Sequence, residues 1–269
     1  MVIAKGSKVT SVEVGDTVAM SWSFHKKLNI IDANKVVKFD SEKVTMQDAA
    51  LCHIGTFPMG ALRKVEVEIG ESFMVMGLGV LGLMAVSFAK AAGAVPVIAV
   101  DPVKERREKA LEFGADFALD PFDEKFAEKV RELTDGGVNA AIEVTGVGQA
   151  LNQCLDCMAK FGRIALLGCT RDKNFTVDYY RKVHGPGIKL IGAHTMARST
   201  YESSPDRFTE RDDVKTILKL VAMKRINLKA MVDEVYSPND CTEVYARLIN
   251  DKEFPVVAQF DWREITLKK

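Results

Sequence analysis

The middle of the chain alternates short apolar runs with longer segments in which apolar residues recur at helical spacing. The runs are rich in valine, isoleucine, alanine and methionine and are typical of strands buried on both faces. They predict strands at 73–76, 97–100, 117–119, 140–144, 163–167 and 188–191. The segments between them predict helices at 80–92, 104–113, 124–134 and 149–160. Strands alternating with helices in this way require right-handed crossovers, so we expect an α/β fold with a doubly wound parallel sheet.

The two ends of the chain have a different pattern. The first sixty residues read as β-rich, with alternating apolar positions over 12–20 and an apolar run at 28–31. A helix follows over 48–62, and Pro58 inside it predicts a kink or break. Beyond residue 197, the polar stretch 199–213 predicts a loop. Helices at 214–223 and 242–249 and strands at 234–236 and 256–260 complete the chain.

Composition narrows the classes of protein to consider. Lysine plus arginine and aspartate plus glutamate number 37 each in the 269 residues, so the charge balance favours neither nucleic acid nor an anionic membrane as a partner. No apolar stretch approaches the roughly 18 residues that a membrane helix needs. The five cysteines, odd in number and irregularly spaced, indicate reduced thiols and a cytoplasmic protein.

A glycine motif directly follows the strand predicted at 73–76. In Gly77-Leu78-Gly79-Val80-Leu81-Gly82, the first glycine suits a tight turn, the second a close approach to pyrophosphate and the third close packing of helix on sheet. The first turns of the following helix contain no acidic residue, so the backbone N–H groups around Val80 and Leu81 remain open to an anion. The arrangement predicts a Rossmann-type dinucleotide-binding domain.

Asp101 ends the second predicted strand, about 20 residues after Gly82, where such domains place the acid that binds ribose hydroxyls. A carboxylate there repels a 2′-phosphate and therefore favours NAD(H) over NADP(H). Three basic residues lie just beyond it, Lys104, Arg106 and Arg107, and they could bind the 2′-phosphate of NADP. They are also typical of a helix face exposed to solvent.

The order of further segments resembles the zinc-type, medium-chain alcohol and polyol dehydrogenases. The residues that carry this resemblance are Val12 to Val18, Gly77 to Gly82, Gly93-Ala94, Asp101, Gly114-Ala115-Asp116, Glu143 to Gly146 and Gly162-Arg163-Ile164. The resemblance implies a nicotinamide domain set into a GroES-like catalytic domain, with hydride transfer between an alcohol and its carbonyl. The implied domains are a remnant of the catalytic domain at 1–60, the NAD-binding domain at 61–197 and the rest of the catalytic domain at 198–269.

The resemblance also implies further cofactor contacts. Thr145 and Gly146 would end the fourth strand of the nucleotide-binding sheet beside the adenosine. Gly168, Cys169 and Thr170, after the fifth strand, would lie near the nicotinamide. Ordinary turns at strand ends explain both groups equally well.

The expected zinc site is incomplete. Family members begin with a stretch that holds a cysteine ligand and a Gly-His-Glu motif, and this chain is expected to start after both. The family's next ligand position falls on His53, which either binds zinc or is a polar residue at a helix or cleft edge. Cys154 and Cys157 form a CxxC within an apolar helical pattern and are interpreted as core residues, and a structural role is also favoured for His184.

The leading interpretation is therefore an NAD(H)-dependent oxidoreductase acting on a small alcohol or its carbonyl. One alternative is a nucleotide-binding module without dehydrogenase activity, or a catalytically impaired chain. Another is a zinc-independent reductase that uses NADPH, which Asp101 disfavours. The apolar strand at 188–193 is expected at a sheet edge, so we predict a homodimer formed through it.

Overall fold

The computed structural model describes residues 1–170, 174–204 and 207–265. The strands are β1 Val18–Met20, β2 Val36–Lys38, β3 Phe73–Met76, β4 Val97–Val100, β5 Phe117–Leu119, β6 Val138–Glu143, β7 Met158–Leu166, β8 Lys189–Gly192, β9 Glu234–Tyr236 and β10 Ala258–Phe260. The helices are α1 Met46–Lys64, α2 Val80–Ala92, α3 Lys104–Glu112, α4 Phe126–Leu133, α5 Gly148–Asp156, α6 Glu210–Ala222 and α7 Cys241–Asn250.

The described chain divides into two compact units. The central unit comprises residues 54–213, and the outer unit comprises 1–53 together with the described residues from 214 onward. Both boundaries fall within helices, one in α1 and the other in α6. They therefore lie seven and 16 residues from the boundaries at 60/61 and 197/198 that the sequence suggests, and the domain assignment stays a prediction.

The central unit contains a six-stranded parallel sheet in the order β5-β4-β3-β6-β7-β8. Every residue of β3 and β4 is buried, as expected of parallel strands covered by helices on both faces. One core cluster joins side chains of the sheet to those of α4 and α5, among them Met74, Ile98, Val130 and Leu155. The predicted α/β fold class with a doubly wound parallel sheet is confirmed.

The strand order changes direction at β3. The chain runs from β3 outward to β4 and β5, then returns to add β6 on the other side of β3. The adjacent carboxyl ends of β3 and β6 therefore form a topological switch point, where open α/β sheets leave a crevice for a ligand. The turn that begins at Gly77 leaves the sheet at this point.

The outer unit is made of smaller pieces. β1 pairs with β2 antiparallel, and β9 pairs with β10 in parallel. The prediction of a strand at the apolar run 28–31 is wrong. The strand that pairs with β1 is β2, further along the chain. Asn29 accepts a hydrogen bond from the Phe24 N–H and donates to the Phe24 and Lys26 carbonyls, and these local bonds replace a strand ladder.

Several other element boundaries differ from the expected ones, and two of the differences have a visible cause. The helix predicted over 149–160 ends at Asp156, because Met158 already pairs with Val138 in the sheet. The loop predicted over 199–213 ends early, since α6 begins at Glu210. The Thr209 hydroxyl accepts a hydrogen bond from the Asp212 N–H, and the acidic residues of that turn complement the helix dipole. Helix α1 continues through Pro58 without a break.

Among the described residues, no helix combines the length and apolar content required to cross a bilayer.

Candidate functional site

The turn between β3 and α2 needs two of its glycines for its own geometry. Gly77 has φ +101°, and a Cβ added there would lie 2.7 Å from Cγ2 of Thr145. A Cβ on Gly82 would lie 1.9 Å from the carbonyl oxygen of Gly77. Any side chain at these two positions would therefore displace the turn from the sheet or from the helix.

Gly79 differs, since a Cβ there would meet no protein atom within 4 Å. It is the N-cap of α2, no side chain caps the helix, and the first helical turn contains no acidic residue. Val80 and Leu81 in that turn are only partly buried. The space beside Gly79 and the helix N-terminus together fit an anionic group, and the pyrophosphate of a dinucleotide matches both.

Asp101 follows β4 and is 4% exposed. One carboxylate oxygen accepts a hydrogen bond from the Leu78 N–H at 2.8 Å, and the other accepts from the Val103 N–H at 2.9 Å. The Arg106 guanidinium lies 3.7 Å from the same carboxylate. Asp101 therefore joins the glycine turn to the end of β4, a structural role that the sequence did not reveal. Its expected role toward ribose stays a prediction.

Glu143, at the end of β6, is a residue whose role at the site the sequence analysis missed. It is 3% exposed and accepts hydrogen bonds from the N–H and the hydroxyl of Thr145 and from the N–H of Gly146. Burial raises the pKa of this carboxyl, while these hydrogen bonds act in the opposite direction. The available signal was a single acidic residue directly after the apolar run Ala140-Ala141-Ile142.

The loops after β6 and β7 approach each other closely. Gly146 has φ +70°, and a Cβ there would lie 2.8 Å from the carbonyl carbon of Cys169. A Cβ on Gly168 would lie 2.1 Å from the Gly146 nitrogen. The Thr145 side chain also packs directly against the Gly77 backbone, where it would meet any added Cβ. The expected cofactor residues after β3, β6 and β7 therefore form one continuous surface. Thr170 follows Cys169, and both are exposed.

The expected metal ligand, His53, belongs to the outer unit. Its ring packs edge-on against Trp22, with ring centroids 4.8 Å apart. The preceding Cys52 is fully buried, donates to the Asp48 carbonyl, and has its pKa raised to about 12 by burial. No group of three or more histidine, cysteine, aspartate or glutamate side chains suited to a metal ion occurs among the residues that the structure describes. These residues do not fit a catalytic zinc, which needs three protein ligands.

The remaining candidates are structural. Cys154 and Cys157 are free thiols with no exposed surface, and burial raises the pKa of Cys157 to about 12. The interpretation of this CxxC as core packing is confirmed. His184 stacks on Tyr180 in a short π-helix before β8, with ring centroids 5.7 Å apart.

Comparison with known proteins places this geometry in a family. Residues 80–210 match the family model described as zinc-binding dehydrogenase. The chain is 27% identical to D-guloside 3-dehydrogenase of Shigella flexneri over 254 residues, which cover 93% of this chain and 71% of that protein. It is 41% identical to L-threonine 3-dehydrogenase of Pyrococcus horikoshii over 172 residues, which cover 64% of this chain and 46% of that protein.

A solved structure shows the same fold. The chain superposes on 2R,3R-butanediol dehydrogenase from Bacillus subtilis with a TM-score of 0.76 at 22% identity, covering 95% of this chain and 76% of that chain. The chain thus spans only part of the length of each of these three proteins. Taken with the glycine turn and the order of the sheet, the matches show that the chain belongs to the zinc-type medium-chain dehydrogenase family.

Proposed function

We propose that the chain binds NAD(H) at the Gly77–Gly82 turn and takes part in hydride transfer between an alcohol and its carbonyl. The observation that carries the proposal is the open space at Gly79, next to the uncapped N-terminus of α2 at the switch point of the sheet. The nicotinamide supplies the hydride acceptor when the cofactor is bound.

The chain's own residues then have distinct tasks. The N–H groups around Val80 bind the pyrophosphate, and Asp101 orients the adenosine ribose. Thr145 and Gly146 border the adenosine side, while the Gly168–Thr170 loop borders the nicotinamide side. No step is assigned to zinc, because the described residues do not assemble a site for it.

The names of the two sequence relatives and of the solved structure suggest a substrate class. Each names a compound whose reacting carbon bears a secondary hydroxyl next to another polar substituent. We therefore propose a small secondary alcohol of the polyol type. Incubation of the full chain with NAD⁺ and a panel of polyols, followed by NADH absorbance, tests this. Cofactor binding without turnover of any polyol would instead support a nucleotide-binding module without activity.

We expect the chain to bind NADH at least about tenfold more tightly than NADPH, since two like charges about 4 Å apart repel by roughly 4 kcal/mol near a protein surface. Asp101→Asn keeps one hydrogen-bond acceptor for the turn but removes this repulsion. The ratio of NADH affinity to NADPH affinity should therefore decrease. Isothermal titration with both nucleotides measures it. Asp120→Asn is the control, because Asp120 pairs with Arg107 in the same neighbourhood. Equal binding of both nucleotides by the wild type would contradict the role of Asp101.

We also propose that the chain forms a homodimer through β8. This strand is at the edge of the sheet, and its Leu190 is 39% exposed. An edge strand offers unpaired backbone groups, and a two-fold axis would extend the sheet into a second copy. We expect a dimer by light scattering at micromolar concentration, and a shift toward monomer in Leu190→Lys. Leu248→Lys, at an exposed position of α7, is the control. A wild-type mass of 29.7 kDa that persists on concentration would refute the dimer.

The cysteines support a cytoplasmic location, which we also propose. The five cysteines are free, and three of them are buried without forming disulfides. Reduced thiols of this kind are typical of a reducing compartment.

A further inference from the structure

A cluster of cationic side chains lines an open cavity beyond the carboxyl end of β8. The cavity measures about 570 Å³, and its lining includes Lys64, Arg198, Arg207 and one carboxylate, Glu66. Its volume lies within the range of roughly 300–1,000 Å³ that is typical of small-molecule sites. Ile191 and Met196 provide apolar surface in the same lining. The cavity belongs wholly to the central unit.

Lys64 has donor capacity left over. Its ammonium donates to the Gly192 carbonyl at 2.7 Å, which uses one of three N–H groups. No carboxylate within the described parts of the chain lies at ion-pair distance from it. Partial burial lowers the pKa of Lys64, and the charges of Arg198 and Arg207 lower it further. The ammonium therefore lies among like charges, and a bound anion would reduce the repulsion between them.

Arg198 is fixed in place but incompletely neutralised. Its guanidinium donates to the Thr195 carbonyl at 2.7 Å and to the Thr56 carbonyl at 3.1 Å. Its remaining nitrogen, Nη1, lies 3.7 Å from Asp213 and makes no hydrogen bond with any described residue. The closer partner of Asp213 is Arg63, at 2.8 Å. Asp213 is thus shared between the Arg63 and Arg198 guanidinium groups, with Arg198 the more distant of the two.

The position of the cavity indicates which part of a ligand it would meet. Gly192 ends β8, so the cavity lies toward the carboxyl edge of the sheet, as the Gly77 turn does. Asp101 follows β4, which is separated from β8 by β3, β6 and β7. Four strand spacings amount to about 19 Å. The adenosine ribose proposed at Asp101 is therefore too distant, and the pyrophosphate proposed at the turn after β3 is three strand spacings away, about 14 Å. The cavity lies on the side of the Gly168–Thr170 loop, because that loop follows β7, the neighbour of β8.

We propose that this cavity binds an anionic group of the substrate, a carboxylate or a phosphate on a polyhydroxylated carbon chain. The enzyme would then prefer a sugar acid or sugar-alcohol phosphate to a neutral polyol. This inference rests on the proposed function, whose polyol substrate it makes more specific. Lys64 supplies a point charge with N–H groups to spare, and Arg198 and Arg207 add positive charge to the same lining.

The test uses three six-carbon probes with the full chain: D-gluconate, D-glucitol 6-phosphate and neutral D-glucitol. Each is titrated calorimetrically with and without saturating NADH. We expect at least one anion to bind about tenfold or more tightly than D-glucitol. Lys64→Gln should weaken that anion about tenfold, and Lys64→Arg should restore part of the loss. Lys160→Gln, at an exposed lysine near the amino end of β7, should have no effect.

The outcomes separate this inference from the proposed function. NADH binding without Lys64-dependent binding of either anion, or equal binding of D-glucitol, overturns the anion site and leaves the cofactor site intact. Lys64-dependent anion binding without any NADH binding supports the anion site and refutes the proposed cofactor. Which anion binds more tightly decides between carboxylate and phosphate.

Discussion

Gly79→Asp is expected to fold like the wild type and to bind NADH about 100-fold or more weakly. A Cβ at Gly79 meets no protein atom within 4 Å, and aspartate is a favoured N-cap residue, so the helix should tolerate it. The new carboxylate would occupy the space proposed for the pyrophosphate. Like charges about 4 Å apart repel by roughly 4 kcal/mol near a protein surface, and each 1.4 kcal/mol is tenfold in affinity.

Gly79→Asn is the matched control for this variant. Asparagine has nearly the same shape as aspartate and caps helices equally well, but it carries no charge. The difference in NADH affinity between the two variants, measured by titration, isolates the electrostatic part. If Gly79→Asp bound NADH within about threefold of the wild type while unfolding at the same temperature, the pyrophosphate would not lie at this turn.

Gly82→Ala is expected to act on the fold itself. Its Cβ would lie 1.9 Å from the Gly77 carbonyl oxygen and 2.9 Å from the Gly77 carbonyl carbon. The obstacle is backbone rather than a flexible side chain, so α2 must move away from the turn. We expect the free energy of unfolding to fall by about 3 kcal/mol, at the upper end for overpacked sites. The melting temperature should fall by roughly 6–12 °C.

The control for this variant adds the same methyl group where there is room. Gly79→Ala, three residues earlier, meets nothing within 4 Å and should unfold within a few degrees of the wild type. Thermal unfolding followed by circular dichroism compares the two. Gly82→Ala with an unchanged melting temperature would show that helix and turn are not packed as closely as the structure has them.

Part of the nucleotide-binding sheet was predictable from local pattern alone. The bounds of β3, β4, β5 and α2 agree with the prediction, because each is a continuous apolar run or helical repeat bordered by turn residues. Errors arose where a distant partner decided the conformation. Met158 lies in β7 and pairs with Val138 of β6, although the local pattern predicted that it would continue the preceding helix. The 28–31 run forms no strand, because the Asn29 side chain hydrogen-bonds to the backbone of Phe24.

The sequence by itself determined the glycine turn, since Gly77 and Gly82 are required by backbone geometry that any neighbouring strand and helix would impose. Only the tertiary structure revealed what the charged residues contact. Asp101 was expected to face a ribose, and its carboxylate also accepts a hydrogen bond from the Leu78 N–H. Glu143 accepts a hydrogen bond from the Gly146 N–H in the loop after β6. Lys64 and Arg198 lie far apart in the sequence and have no pattern in common, yet they line one cavity. A side chain's electrostatic partners depend on how distant segments pack, and no local periodicity encodes that packing.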